Sequence, residues 1–335
     1  MVLQNRTQTS SYSTEQVTNW LESLNLPQTF HRYTQCPEKF PKTAESLRIL
    51  MRCQITTFPY ENLSVHYSPT HLVDICPEAL YEKMMGPDNR KRGGYCMELS
   101  IFFHHMLRGL GFFVYMTGVR NRARTNGIPS GEYQGWTHIV NIVHLPLGEK
   151  FALDVAFGGD GPITPLLLEG SRTAVPNIGP QQVRLIQDTI PKQQLETTKL
   201  WIYQYRNGPD REWNSFYSFA ELEFFQEDFE VMNWFASART LHRWTVLVVR
   251  FLREADCSLF SERGEWGLST ADVGIVGKVM LVNDVVKVNL GGKTEIVRSF
   301  DSEKGRLQAL KEYFGIELTS DQQQGILGWD MRLTN

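Results

Sequence analysis

An α+β fold is what the sequence predicts, and its changes of hydrophobic period carry that reading. Through the first 115 residues apolar positions recur at helical spacing. From about residue 116 to 218, short β-branched and aromatic runs separated by Gly, Pro and Asn read as consecutive antiparallel strands. From 219 to 335 both patterns occur together.

Taken in order, "STEQVTNWLESLNL" opens a helix with a Ser-x-x-Gln start (Ser13, Gln16) and places Val17, Leu21 and Leu24 on one face. "KTAESLRILMRCQITT" aligns Leu47, Leu50, Met51 and Ile55, and "CMELSIFFHHMLRGLGF" is a third helix closed by Gly109 and Gly111. "FFVYMTGVR", "WTHIVNIVHL", "KFALDVAFG", "QQVRLIQDT" and "KLWIYQYRN" read as strands of a meander or barrel. "AELEFFQEDFEVMNWFAS" returns to helix, "TVLVVRFL", "VGKVMLVNDVVKVNL" and "KTEIVRSF" to strand, and "DSEKGRLQALKEYFGI" closes the chain with Leu307, Leu310 and Phe314 aligned.

Composition narrows the function. With 335 residues, 41% of them hydrophobic, the chain can bury a substantial core. Its 34 basic and 37 acidic residues give a net charge of −3, which provides no footprint for wrapping nucleic acid. The polar leader "MVLQNRTQTSSYSTEQ" and the absence of a bilayer-length apolar run predict a cytoplasmic protein with no membrane partner. Five cysteines (Cys36, Cys53, Cys76, Cys96 and Cys257), without CxxC spacing, argue for reduced thiols and against a structural metal site.

Cys96 is the chemically suggestive one. It follows "NRKRGGY" where a helix begins, and Gly93 and Gly94 allow close backbone approach. The positive end of that helix would favour a thiolate. A nucleophilic cysteine also needs an imidazole and a group to orient it. His138 alternates with apolar neighbours in a strand, and Asp154 is an acid set in an otherwise apolar strand, where a carboxylate requires a partner. His104 and His105 lie two turns along the Cys96 helix, about 12 Å down its axis, and are set aside. The order Cys, His, Asp is shared by papain-like proteases, transglutaminases and acyl transferases.

These residues resemble the arylamine N-acetyltransferases. "RGGYCMELS" is similar to that family's Arg-Gly-Gly-aromatic-Cys signature, "FPYENLSVHY" to its Pro-Phe-Glu-Asn-Leu segment and "FALDVAFGG" to its Asp-x-Gly-Phe-Gly segment. "FYSFAELEFFQEDFEVMN" and "LQALKEYFGIEL" extend the likeness over nearly the whole chain. The resemblance implies a three-part fold with a cysteine-protease-like core: a helical bundle (1–115), an antiparallel β-barrel (116–218) and an α/β lid with tail (219–335).

It further implies ping-pong transfer of an acetyl group from acetyl-coenzyme A, through acetyl-Cys96, to an arylamine, arylhydrazine or N-hydroxyarylamine, with His138 and Asp154 completing the triad. Phe157 falls on the aromatic position of the acceptor pocket, Tyr60 on a second substrate position, and Gly135 on a position near the acyl donor. The chain departs from the pattern at Tyr60, Ala156 and Ser100, where Phe, Gly and Asn are usual. "NWFASARTLHRW" lacks the family's Ser-Pro-x-Ser coenzyme A contacts, and Arg239, Thr240, His242 and Arg243 stand there instead as candidates to hold phosphate charge. The tail "GWDMRLTN" either turns back towards the pocket, as in eukaryotic relatives, or trails free. The alternative readings are a peptidase or transglutaminase on the same core, or an amine acyltransferase that uses another acyl-coenzyme A, such as propionyl or malonyl.

Overall fold

The computed structural model describes residues 9–88, 91–125, 127–170, 172–259 and 273–334. Helix α1 (Thr14–Ser23) starts at the capping box read from the sequence. The Ser13 hydroxyl accepts from the Gln16 N–H at 3.2 Å, and the Gln16 side-chain oxygen accepts from the Ser13 N–H at 2.9 Å. Helix α2 (Ala44–Thr57) buries Leu47, Leu50, Met51 and Ile55, the stripe its period requires. Strand β1 (Tyr60–Glu61) and helices α3 (Leu63–Tyr67) and α4 (Pro77–Met85) follow, all too short to give a periodic signal in the sequence. Helix α5 (Cys96–Gly109) is buried on every side from Cys96 to Leu107, so it forms the axis of the molecule. A Cβ on Gly109 would sit 2.4 Å from the Val17 side chain, so α1 crosses α5 there, and Gly111, at φ +82°, turns the chain out of the helix.

Strands β2 (Phe113–Thr125), β3 (Ile128–His144), β4 (Lys150–Leu153), β5 (Leu166–Leu167), β6 (Val175–Pro176), β7 (Gln182–Asp188), β8 (Leu200–Arg206) and β9 (Asn214–Phe219) make an antiparallel sheet ordered β5-β4-β3-β2-β9-β8-β7-β6. It curls until β5 approaches β7. Strand β9 was not read from the sequence, although its aromatic residues fill the sheet's concave side. On β3 the register shifts so that Val119 faces His138 and Arg120 faces Trp136, which leaves Thr137 as an extra residue in a bulge.

The remainder comprises α6 (Gln226–Arg239), α7 (Leu241–Trp244), β10 (Leu247–Arg253), β11 (Ile275–Val282), β12 (Val285–Asn289), β13 (Glu295–Ser299), α8 (Glu303–Ala309) and α9 (Ser320–Gly325). The closing helix expected to run to Ile316 changes at Leu310 into a π turn and stops at Gly315, whose φ is +70°. Helix α6 starts six residues later than its apolar period suggested. Before it, the Phe224 N–H is spent on the Met116 carbonyl at 2.8 Å, a bond to β2 rather than to a preceding helical turn. The second sheet runs β1-β10-β11-β12-β13, so β1, a piece of the helical region, supplies the edge strand of the lid. Among the described residues no helix is long and apolar enough to cross a membrane.

The tail docks against His66 and His71 of the helical region and Arg243 of α7. The Trp329 ring stacks on His71 at 3.6 Å with the Arg243 guanidinium 3.8 Å from its centre, and its Nε1 donates to His66 Nδ1 at 3.1 Å.

Candidate active site

The Gly93-Gly94 pair is a steric requirement. Gly94 donates its N–H to the Pro59 carbonyl and accepts from the Glu61 N–H at 2.9 Å, which lays the chain against β1. A Cβ on Gly93 would fall 1.9 Å from the Pro59 oxygen, and one on Gly94 2.6 Å from the Glu98 Cβ. Immediately afterwards Glu98 accepts from the Tyr95 N–H at 3.0 Å and so fixes the start of α5 with Cys96 as its first residue.

Glu98 belongs to a buried charge cluster. Lys83 lies 2.6 Å from Glu98 and 3.2 Å from Glu61, and Arg92 donates to Glu61 at 2.9 Å. Burial raises the Glu61 carboxyl, but the charges of Arg92 and Lys83 prevail and bring it down to about 2. Glu98 is raised by burial, which Lys83 only partly offsets while the Glu61 charge adds to the rise. Arg92 and Glu98 are therefore scaffold, and the cluster seats the Cys96 end of α5.

The bulge on β3 turns the Thr137 carbonyl towards Cys96, 3.9 Å from Sγ, and His138 is the next residue along the strand. The His138 Nε2 lies 2.8 Å from Asp154 Oδ2. Strand β4 stops at Leu153, so Asp154 stands one residue beyond it rather than within a strand, and its Oδ1 accepts from the Ala156 N–H at 3.1 Å. Leaving the ladder is what lets the carboxylate turn to the imidazole while its second oxygen stays satisfied. Cys96, His138 and Asp154 are 3%, 1% and 2% exposed, so all three side chains are shielded from bulk water. Burial pushes the Cys96 thiol well above its ordinary range. The Met97 N–H opposes the rise, and the charges of Asp154 and Glu98 add to it. A thiol so placed is activated by handing its proton to a neighbouring base, not by ionising alone.

Aromatic rings wall the imidazole. Phe157 lies 5.0 Å from His138 and packs edge-on against Phe216 at 4.6 Å and Tyr217 at 4.9 Å. Tyr217, on unrecognised β9, also has its hydroxyl beside Asp154, where burial and that charge raise it. The sequence signal that could have found it is the alternation in "NSFYSF".

Comparison with known proteins identifies the family and the fold. An N-acetyltransferase family model matches residues 43–323. The chain belongs to the arylamine N-acetyltransferase family. N-malonyltransferase FDB2 of Gibberella moniliformis is 28% identical over 94% of this chain and 92% of its own. The arylamine N-acetyltransferase of Mycobacterium bovis is 25% identical over 85% of this chain and 87% of its own. Among solved structures, that of the Mycobacterium abscessus arylamine N-acetyltransferase covers 96% of this chain and 98% of its own, at 20% identity and a TM-score of 0.71. The Mycobacterium marinum enzyme in complex with CoA covers 93% and 99%, at 22% identity and a TM-score of 0.68. The three-part fold implied by the motifs is thereby established.

The other positions singled out in this arylamine N-acetyltransferase family member fall in different places. Tyr60, whose hydroxyl takes the place of the usual Phe edge, pairs with His242 Nε2 at 3.3 Å, and a Cβ on Gly158 would touch its ring at 3.9 Å. His242 also meets Tyr95 edge-on at 5.1 Å, and burial pulls it down to about 3. Gly135 is exposed, and a Cβ there would meet open space. Thr240 caps α7 by accepting from the His242 N–H, and Arg239 is exposed at the end of α6. Arg243 is turned away to the tail, 2.6 Å from Asp330. Ser100 is fully buried and its hydroxyl has no partner among the described residues, while its carbonyl accepts from Asn141 at 3.0 Å. His104 bonds Asn141 and His105 accepts from the Ser11 N–H, so both are structural.

Proposed function

We propose that the protein transfers an acyl group from acyl-coenzyme A to the amino group of an arylamine, arylhydrazine or N-hydroxyarylamine through an acyl-Cys96 intermediate. The observation that carries this reading is the buried 2.8 Å His138–Asp154 pair, with the Cys96 thiol at the head of α5 lying 3.9 Å from the carbonyl of Thr137, the residue before His138. With Nε2 engaged by Asp154, the imidazole takes the thiol proton on Nδ1.

Sγ forms a bond to the acyl carbon, the coenzyme A thioester bond breaks, and the proton passes from His138 to the departing sulfur. In the second half the amine nitrogen attacks the acyl-cysteine, the S–C bond breaks, and the amine's proton returns to Cys96 by way of His138. The N–H groups of Cys96 and Met97 at the start of α5 stabilise the oxyanion. Phe157, with Phe216 and Tyr217 behind it, offers the acceptor a ring face, and Tyr60 borders the same space. Thioester exchange is near neutral and the final amide is downhill, which suits a thiol. Family membership favours this chemistry over hydrolysis or transglutamination, and the site is cytoplasmic in keeping with a reduced nucleophile.

Acetyl is the first candidate acyl group. A malonyl donor is favoured by one specific observation: the Gibberella relative and its Fusarium pseudograminearum counterpart, 29% identical over 94% of this chain, are both N-malonyltransferases. A matrix of acetyl-, propionyl- and malonyl-coenzyme A against arylamines and arylhydrazines, followed by thiol release, tests the reading. Parallel-line kinetics with at least one donor–acceptor pair supports it. Thiol release that ignores the amine, or glutamine-amide turnover, contradicts it.

A further inference from the structure

Away from the triad, a cavity of about 360 Å³ opens at the seam between the curled sheet and the lid. The seam is drawn tight at one edge, where a Cβ on Gly179 would fall 1.9 Å from the Gly291 oxygen. Among the described lining residues, the charged ones are Arg124, Asp160 and Lys278, with Gln181, Asn207 and Thr294 adding neutral polar groups. Arg124 lies 2.5 Å from one oxygen of Asp160, and Lys278 3.9 Å from the other. Lys278 also donates to the Gly159 carbonyl, and its side chain is only 13% exposed.

Two cations thus share one carboxylate, and the more buried of them holds that carboxylate at the longer distance. A largely desolvated ammonium with a neutral carbonyl as its nearest partner is incompletely compensated. Burial lowers its affinity for its proton, which Asp160 partly restores. An entering oxyanion would supply the missing charge.

The cavity is tied to the site. The Arg124 guanidinium lies 4.7 Å from the Phe216 ring, Phe216 lies 4.6 Å from Phe157, and Phe157 lies 5.0 Å from His138. Gly159 and Asp160 belong to the turn that directly follows Phe157.

We propose that this seam pocket is an oxyanion-binding site that seats a phosphate or carboxylate on Lys278 and Arg124. The shared chemistry has two sources: a phosphate of the coenzyme A donor, or a free oxyanion whose binding is felt at Phe157. The first source rests on the acyl-coenzyme A reading above, and the second does not.

Calorimetry on the full chain separates them without requiring turnover, so a failure of the acyl-transfer reading stays distinguishable. The ligands are coenzyme A, pantetheine, which lacks its phosphates, and inorganic phosphate. The proteins are the parent, Lys278→Met, Lys278→Arg and Asp160→Asn, each checked for native circular dichroism. If the donor's phosphate sits here, Lys278→Met weakens coenzyme A about tenfold and leaves pantetheine unchanged. If a free oxyanion sits here, phosphate binds the parent one to one, Lys278→Met abolishes that binding, and coenzyme A is unaffected. In either case Lys278→Arg retains binding and Asp160→Asn tightens it. No heat with phosphate together with unchanged coenzyme A affinity in Lys278→Met overturns the proposal. Equal loss in Lys278→Arg and Lys278→Met also overturns it, because the residue would then matter for packing and not for charge.

Discussion

Asp154 has a separate task for each oxygen: Oδ2 holds the His138 Nε2, and Oδ1 holds the Ala156 N–H. Asp154→Asn preserves the shape but presents an amide where the tautomer of His138 is set. We expect the rate of coenzyme A release in a single turnover to fall by about 10⁴, with unchanged near-ultraviolet circular dichroism. Ser100 gives the opposite kind of test. Its hydroxyl is buried without a partner among the described residues, so Ser100→Ala should leave acyl transfer intact and leave urea stability unchanged or raise it by up to about 1 kcal/mol. A clear destabilisation would show that the hydroxyl has an unrecognised partner. At this scale the sequence was informative about charge and silent about geometry. An acid among apolar residues flagged Asp154, but only the structure shows it stepping out of β4, and no local signal predicts that Arg243 turns to Asp330 instead of the site.

Elements, not single residues, decide whether the nucleophile is presented. The start of α5 is held by Glu98 and Arg92 with Lys83 and Glu61, which come from three separated stretches of chain. Lys83→Met leaves Glu98 buried without its cation, and we expect it to cost about 3–5 kcal/mol in urea denaturation. A loss under 1 kcal/mol would mean that the cluster does not bear on α5. Long, strongly periodic elements such as α1, α2 and α5 were legible in the sequence, including the Ser13 cap. Short ones were not: α3, α4 and α7 have too few turns to show a period, and β1 is two residues that become a strand only because β10 lies alongside. Helix α6 misled because, in "AELEFF", Phe224 serves β2 and the core before the helix begins, while Leu222 and Phe225 stay exposed. The tail is a further element whose docking is tertiary. Trp329→Ala removes the stack on His71 and the Arg243 contact, so we expect a loss of about 1–2 kcal/mol and faster hydrogen exchange in 329–334, without loss of the acyl intermediate.

Across the whole molecule, buried histidines set the acid limit. Burial lowers His66 and His105 to about 4 and His242 to about 3, and brings His104 well below its ordinary value. A base whose folded pKa lies below its unfolded value near 6.5 binds more protons when unfolded, so stability rises with pH across that interval. Folding stability should therefore be full above about pH 7 and be lost as pH falls from about 6.5 towards 4, by up to about 1.4 kcal/mol per pH unit for each histidine. Glu61, depressed to about 2, contributes stability above its unfolded value and loses it only below about pH 4.5, so its effect follows that of the histidines. Melting curves from pH 8 to 4.5 test the order, and His104→Gln, if it folds, should flatten the upper part.

The α+β reading and the pairing of His138 with Asp154 were both legible in the chain, because period and residue chemistry are local properties. The curl of the sheet, the seam pocket and the route of the tail depend on contacts far apart in sequence. The central claim is covalent, and intact-protein mass spectrometry tests it most directly. After mixing with acetyl- or malonyl-coenzyme A and no amine, the account predicts one added acyl group, mapped by peptide analysis to Cys96 and absent from Cys96→Ser. No adduct with either donor, or an adduct that persists in Cys96→Ser, would contradict it.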